Sequence, residues 1–185
     1  MKKTLLSVAT LLLIAFGASA QNWGWGPKVG VAFSTANNIQ GAKVREGMVA
    51  GIFFQNPVCN WFTLEADVLF SQQGYDLHTD PKTRYRVDYL AVPVLGKYYL
   101  LGGLNFQLGA EFDYLLNAKK KYDGTDYVVH RNFNKFNIQF LTGLAYDFDF
   151  GLIVEGRYLY GLTEFVSTAG NARTGALQVS LGWCF

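Results

Sequence analysis

The last nine residues, Leu177-Gln178-Val179-Ser180-Leu181-Gly182-Trp183-Cys184-Phe185, alternate between two faces up to the terminal carboxylate. Leu177, Val179, Leu181, Trp183 and Phe185 share one face, and Gln178, Ser180, Gly182 and Cys184 share the other, which is the period of a β-strand. An apolar strand at the end of a chain needs something to pair its edge and cover its face. A closed barrel supplies both, because closure pairs the last strand with the first and a membrane covers the apolar side.

Seven further segments read as strands: Lys28 to Phe33, Gly47 to Gln55, Trp61 to Gln72, Val87 to Tyr99, Leu104 to Leu116, Asn134 to Tyr146 and Leu152 to Leu162. The alternation is clearest where Phe62, Leu64, Ala66, Val68 and Phe70 interleave with Thr63, Glu65, Asp67, Leu69 and Ser71, and where Phe106, Leu108, Ala110, Phe112 and Tyr114 interleave with Gln107, Gly109, Glu111 and Asp113. The facing of Gly47 to Gln55 stays ambiguous. Eight strands make an even count, and most approach the ~9–11 residues that cross a bilayer when tilted. Short connections at 56–60, 100–103 and 147–151 alternate with longer polar ones at 34–46, 73–86, 117–133 and 163–174. That is the asymmetry of periplasmic turns and external loops. The expected fold is all-β: an eight-stranded, antiparallel, up-and-down transmembrane β-barrel with a closed polar lumen, monomeric and spanning residues 21–185. Pro93 cannot donate to a ladder, so a bulge is expected inside its strand.

The other end of the chain reads as an export signal. Met1-Lys2-Lys3 is a positive start, 5–16 is an apolar run interrupted by Ser7 and Thr10, and Ala18-Ser19-Ala20 is an A-x-A cleavage site. The run is shorter than the ~20 residues of a spanning helix, so residues 1–20 are expected to be cleaved near Ala20 after Sec-dependent export. Lys2 and Lys3 leave with them. Of 16 Lys+Arg, 14 then remain against 14 Asp+Glu, and a formally neutral chain gives no reason to expect nucleic-acid binding. Charged residues are 16% of the chain, against ~25% in typical soluble proteins. A soluble, ligand-holding barrel would need Lys and Glu on its outer face and many aromatic residues packed inside eight strands. The opposite arrangement is expected, in the outer membrane of a Gram-negative cell. Trp61, Phe62, Tyr98, Tyr146, Trp183 and Phe185 would then form an aromatic girdle at the periplasmic side, with Phe70, Tyr114, Phe136 and Tyr160 nearer the outer side.

Two adjacent strands carry a family pattern. Leu64-Glu65-Ala66-Asp67-Val68-Leu69-Phe70-Ser71-Gln72-Gln73-Gly74, followed by Asp88-Tyr89-Leu90-Ala91-Val92-Pro93-Val94-Leu95-Gly96-Lys97-Tyr98, resembles the PorT-type outer-membrane β-barrel family of Bacteroidota. Ala91 stands where that family usually has Glu. The resemblance implies the barrel fold over the mature chain, recognition of the C-terminal aromatic by the barrel-assembly machinery, and, as one alternative, an accessory role in protein secretion or envelope assembly.

Alternation places Glu65, Asp67, Lys97, Glu111, Asp113, Lys135, Glu155 and Arg157 on the inward face, where carboxylates must pair with bases or bind water. A plugged polar network is expected there; the sharper alternative is a proton or ion path, for which eight strands leave little room. Lys119, Lys120, Lys121 and Arg131 form a basic outer loop that could meet lipid and lipopolysaccharide phosphates or an unknown extracellular or envelope protein. His78 and His130, the only histidines, lie in outer loops, so a lipid-modifying enzyme using His78 with Asp76 or Asp80 is the weaker alternative to a structural or interaction role. No catalytic, cofactor or metal residues are expected. Cys59 and Cys184 could pair in an exported protein, though about two strands separate them.

Overall fold

Backbone amides in a bilayer have no water to bond to, and the observed ladder leaves none of the long strands with a free edge. The computed structural model describes residues 23–37, 42–77, 83–122, 125–128, 134–163 and 173–185, so the expected signal segment, His78, His130 and Arg131 lie outside the described residues. Ten strands follow in order: β1 (Gly24–Asn37), β2 (Ala42–Lys43), β3 (Arg45–Cys59), β4 (Phe62–Leu77), β5 (Thr83–Leu101), β6 (Leu104–Tyr122), β7 (Thr125–Val128), β8 (Phe136–Asp147), β9 (Leu152–Gly161) and β10 (Arg173–Trp183). The eight long ones form an antiparallel ring in chain order, β1-β3-β4-β5-β6-β8-β9-β10, closed where β10 returns to β1. The short β2 and β7 only add to β4 and β6.

The terminal strand behaves as its alternation requires. Leu177, Val179, Leu181, Trp183 and Phe185 are 43–67% exposed, which puts them on the outer wall, while Gln178 and Ser180 are buried. The ladder ends at Trp183, but the backbone stays bonded beyond it: Cys184 N donates to Gly151 O (2.8 Å) and Phe185 N to Trp25 O (2.9 Å). β3, ambiguous from its residues, is settled by register: Val49 and Phe53 point inward, and Met48 and Ile52 outward.

The strands run further than their apolar alternation. β5 starts at Thr83 and β6 continues to Tyr122, so parts of the expected loops 73–86 and 117–133 are strand. These extensions carry Arg84, Arg86 and Lys119 to Lys121 among scattered Tyr, so the sustained hydrophobic period that reveals a strand is missing from them. One side of the barrel, β5 and β6 at 19 residues each, is therefore tall, and the side of β8, β9 and β10 at 12, 10 and 11 is short. Tight turns and both described chain ends gather at one end, the turn end; the longer connections lie at the other, the loop end. Gly102 (φ 54°) and Gly151 (φ 99°) occupy turn positions that a side chain would strain.

Pro93 causes no bulge. Ala66↔Val94 and Leu69↔Ala91 keep one register on either side of it, and the β4–β5 ladder simply has no pairs between them. On the β5–β6 side one irregularity falls between Asp88 and Tyr89 and another, by the turn, between Tyr99 and Leu101. At the first of these Leu115 and Ala118 both point inward, so β6 carries the extra residue. A proline removes one donor, which a gap in one ladder accommodates without inserting a residue.

Candidate functional site

The interior is the densest concentration of chemistry in the molecule, and β alternation builds it from one face of every strand. Nearer the turn end, Arg157 on β9 reaches across the lumen: Nη1 is 2.7 Å from Asp67 Oδ2, and Nη2 is 2.5 Å from Glu65 Oε1 and 2.8 Å from Glu155 Oε2. Its Nε donates to Gln107 Oε1 at 2.8 Å. Lys28 Nζ, from β1, meets the same three acids: Glu65 Oε1 at 2.8 Å, Asp67 Oδ2 at 3.0 Å and Glu155 Oε1 at 3.0 Å. It also sits 5.0 Å from the ring centre of Phe53. Lys97 Nζ pairs with Glu65 Oε2 at 2.6 Å and Asp147 Oδ2 at 3.2 Å. Three bases thus face three fully buried acids, with Asp147 as a partly exposed fourth. Burying charges costs several kcal/mol each, and pairing of this kind is what makes it tolerable, even with Asp67 Oδ1 left without a hydrogen-bond partner.

Nearer the loop end the composition changes. Glu111 and Asp113 on β6 are held by amides: Gln139 Nε2 donates to Asp113 Oδ2 (2.6 Å) and Glu111 Oε1 (3.5 Å), and Asn137 Nδ2 donates to Asp113 Oδ2 (3.3 Å). Thr163 Oγ1 in turn donates to Asn137 Oδ1. Apolar side chains complete the filling. Ala32, Val49, Leu69 and Ala91 form one buried cluster, and Leu95, Leu141, Leu159 and Ala176 another. The closed lumen therefore holds two polar layers with apolar side chains filling space among them.

Seven of the eight expected interior residues converge here. The exception is Lys135, which is exposed. Its parity is inward, but β8 begins only at Phe136, so Lys135 sits on the rim, where its carbonyl accepts from Leu115 N (2.9 Å). Lys28 is the residue that sequence reasoning missed. It shares the inward parity of Gly30 and Ala32, but it stood at the edge of an apolar run and passed for a strand boundary. Asp147 stands at the start of the short connection 147–151, and it also accepts from Lys97, Tyr99 Oη (2.7 Å) and Asn105 Nδ2 (3.1 Å).

The turn end opens into a pocket of about 420 Å³ lined by Gln55, Tyr99, Asp147, Phe148, Asp149 and Cys184. Both cysteines are free thiols in this structure, Cys59 exposed and Cys184 half-buried. Burial pushes the Cys184 thiol up, against the pull of the Gln55 amide that donates to its Sγ at 3.2 Å. Aromatic side chains ring this end on the outside. Trp61 stacks on Tyr98 (6.3 Å), Phe62 meets Tyr98 (4.9 Å), Trp25 meets Phe185 (5.4 Å), and Tyr146, Phe148, Phe150 and Trp183 form a chain with steps of 4.6, 5.2 and 6.1 Å. All six expected girdle residues belong to it. Trp25, Phe148 and Phe150 extend it. At the loop end, Lys119, Lys120 and Lys121 lie in β6.

A family profile described as "Outer membrane protein beta-barrel domain" matches residues 19–167. No curated protein sequence matches the chain. Among solved structures, Neisserial surface protein A is similar with a TM-score of 0.63 at 17% identity, covering 89% of this chain and 100% of that one. The attachment invasion locus protein Ail of Yersinia pestis is similar with a TM-score of 0.55 at 15% identity, over 89% and 100%. Ail in complex with the heparin analogue sucrose octasulfate gives 0.53 at 14%, over the same shares. At these identities the structural likeness is one of fold. The chain belongs to the outer membrane protein beta-barrel domain family, and it is a small eight-stranded barrel of the outer membrane.

Proposed function

We propose that this barrel acts as a structural or interaction component of the outer membrane, through its loop end, and neither conducts as an open porin nor catalyses a reaction. The observation that carries the reading is the filled interior: Arg157, Tyr89, Lys28, Phe53 and Lys97, all fully buried, occupy the space an open channel would need. In this reading residues 1–20 direct Sec-dependent export and are removed near Ala20, both chain ends face the periplasm, and the C-terminal Phe185 is what the barrel-assembly machinery engages. The longer connections and the tall β5–β6 side then face outward, towards lipopolysaccharide and any extracellular partner. The test is single-channel recording of the refolded protein in planar bilayers. Silence, or only rare flicker, is the expected outcome; a steady ohmic conductance overturns the reading.

A second reading, the PorT-like accessory role in secretion or envelope assembly, draws support from the pocket at the turn end, where Asp147, Asp149 and Cys184 would be open to the periplasm. Site-specific crosslinking from Asp149 in native envelopes distinguishes the two. A reproducible periplasmic protein adduct favours the accessory role, and crosslinks confined to outer-loop positions favour the first reading.

A further inference from the structure

The charge layer near the turn end does not balance. Lys28, Lys97 and Arg157 meet Glu65, Asp67, Glu155 and Asp147, so among the described residues three bases face four acids. The side chains of Glu65, Asp67 and Glu155 are fully buried, whereas Asp147 keeps 16% of its side chain accessible. Lys97 serves one acid of each kind. It lies 2.6 Å from Glu65 Oε2 and 3.2 Å from Asp147 Oδ2, so the buried acid holds it more closely. The excess negative charge of the network therefore reaches solvent at Asp147.

Asp147 opens into the turn-end pocket, and its surroundings repeat the excess of acceptors. Asp149, two residues on in the same turn, is exposed on the pocket wall. Tyr99 Oη already donates to Asp147 Oδ2 (2.7 Å), and Gln55 Nε2 to Cys184 Sγ (3.2 Å). Behind Asp147, Asn105 Nδ2 donates to Asp147 Oδ1 (3.1 Å) and to the Gly103 carbonyl (3.2 Å), while the buried Asn105 Oδ1 has no hydrogen-bond partner. Residues 23–27, 55–61, 98–105, 146–153 and 183–185, which make up the described turn end, contain no Lys, Arg or His. Phe148 and Ile153 add apolar wall. A cavity of about 420 Å³ with apolar wall and a few convergent polar groups suits a small ligand. Acceptors in excess beside carboxylates select one that brings donors and positive charge, and a primary ammonium has three donors and no acceptor.

We propose that the turn-end pocket binds a primary ammonium carried on a short apolar stem, with Asp147 as its main anchor and Asp149 at the mouth. A free diamine and a lysine side chain of an envelope protein share this chemistry. The bound ammonium supplies Asp147 with the charge that Lys97 divides with Glu65, and the stem lies along the apolar wall. The proposal deepens the accessory reading, on which it rests for its place in the cell, by naming what the turn end holds. Binding by the purified protein and crosslinking from Asp149 in envelopes are separate measurements, so either can fail without the other.

The experiment uses the full refolded, isotope-labelled chain in non-ionic detergent and follows the amide resonances of Gly103, Asp147 and Gly151. The probes are cadaverine and N-acetyl-lysine methylamide, and the uncharged N-acetyl-norleucine methylamide is the comparison. An ammonium probe should shift these amides saturably and bind at least about tenfold more tightly than the norleucine compound, and added salt should weaken it. Asp147→Asn should abolish that preference, and Asp149→Asn should weaken binding about threefold. Glu46→Gln, which removes an exposed charge at the loop end, should leave it unchanged. If Asp147→Asn does not refold, the contrast between Asp149→Asn and Glu46→Gln decides. Binding of both ammonium probes supports a lysine side chain as the source, and binding of cadaverine alone supports a free amine. The absence of a saturable shift, equal binding of the norleucine compound, or a loss with Glu46→Gln equal to that of the pocket variants overturns the proposal.

Discussion

The two polar layers of the lumen solve the same problem differently. Near the turn end, Arg157, Lys28 and Lys97 are each shared among several of Glu65, Asp67, Glu155 and Asp147. Near the loop end, Glu111 and Asp113 are contacted by the amides of Gln139 and Asn137; Asp113 Oδ1 and Gln139 Oε1 lack a hydrogen-bond partner there, as Asp67 Oδ1 does in the first layer. A base shared by three acids cannot be removed without leaving buried charge behind; an acid held by amides can be made neutral with little left uncompensated. The first layer therefore ties strands together, while the second tolerates change.

The largest test of that contrast is Arg157→Met. It takes one of their bases from Glu65, Asp67 and Glu155 at once, leaving Lys28 and Lys97 against an excess of buried negative charge, and should cost about 3–5 kcal/mol in denaturant unfolding of the refolded barrel. A loss under about 1 kcal/mol would erase the distinction between the layers. A double-mutant cycle of Lys28→Met and Glu155→Gln sharpens it, with an expected coupling of roughly 1–3 kcal/mol in the same assay. In the other layer, Gln139→Leu removes the amide that bridges both carboxyls and should cost about 1–3 kcal/mol. Glu111→Gln is the mildest change, and its midpoint should stay within about 1 kcal/mol of the parent. A Glu111→Gln effect as large as that of Arg157→Met would mean that the upper layer is also bound by charge.

Much of this was readable from residue order, for a simple reason. Period-2 alternation fixes both the strand and its facing, so Glu65, Asp67, Glu111, Asp113, Glu155 and Arg157 fell inward with their strands. What alternation does not encode is where a strand stops. Lys135 has inward parity yet lies on the rim, and the polar ends of β5 and β6 have no apolar period to announce them. Lys28 escaped for the complementary reason, standing just outside a hydrophobic run. Partners on opposite sides of the ring were equally hidden, because Arg157 and Glu65 meet only through closure of all eight strands. Pro93 shows the limit of local chemistry: a missing donor signals a fault in the ladder but does not say whether a gap or a bulge absorbs it.

The seam between β1 and β10 gives the charge layer a consequence for assembly. Lys28 belongs to the first strand, and the acids it meets stand on β4 and β9, neither of which is its neighbour in the ring. A half-inserted sheet, however well hydrogen-bonded, leaves that ammonium without its acids and those acids without one of their bases. Contacts so distant in sequence make folding slow, but they also make it all-or-none: the incomplete barrel is penalised until the final strand arrives, and only the closed ring brings Lys28, Lys97 and Arg157 to Glu65, Asp67 and Glu155.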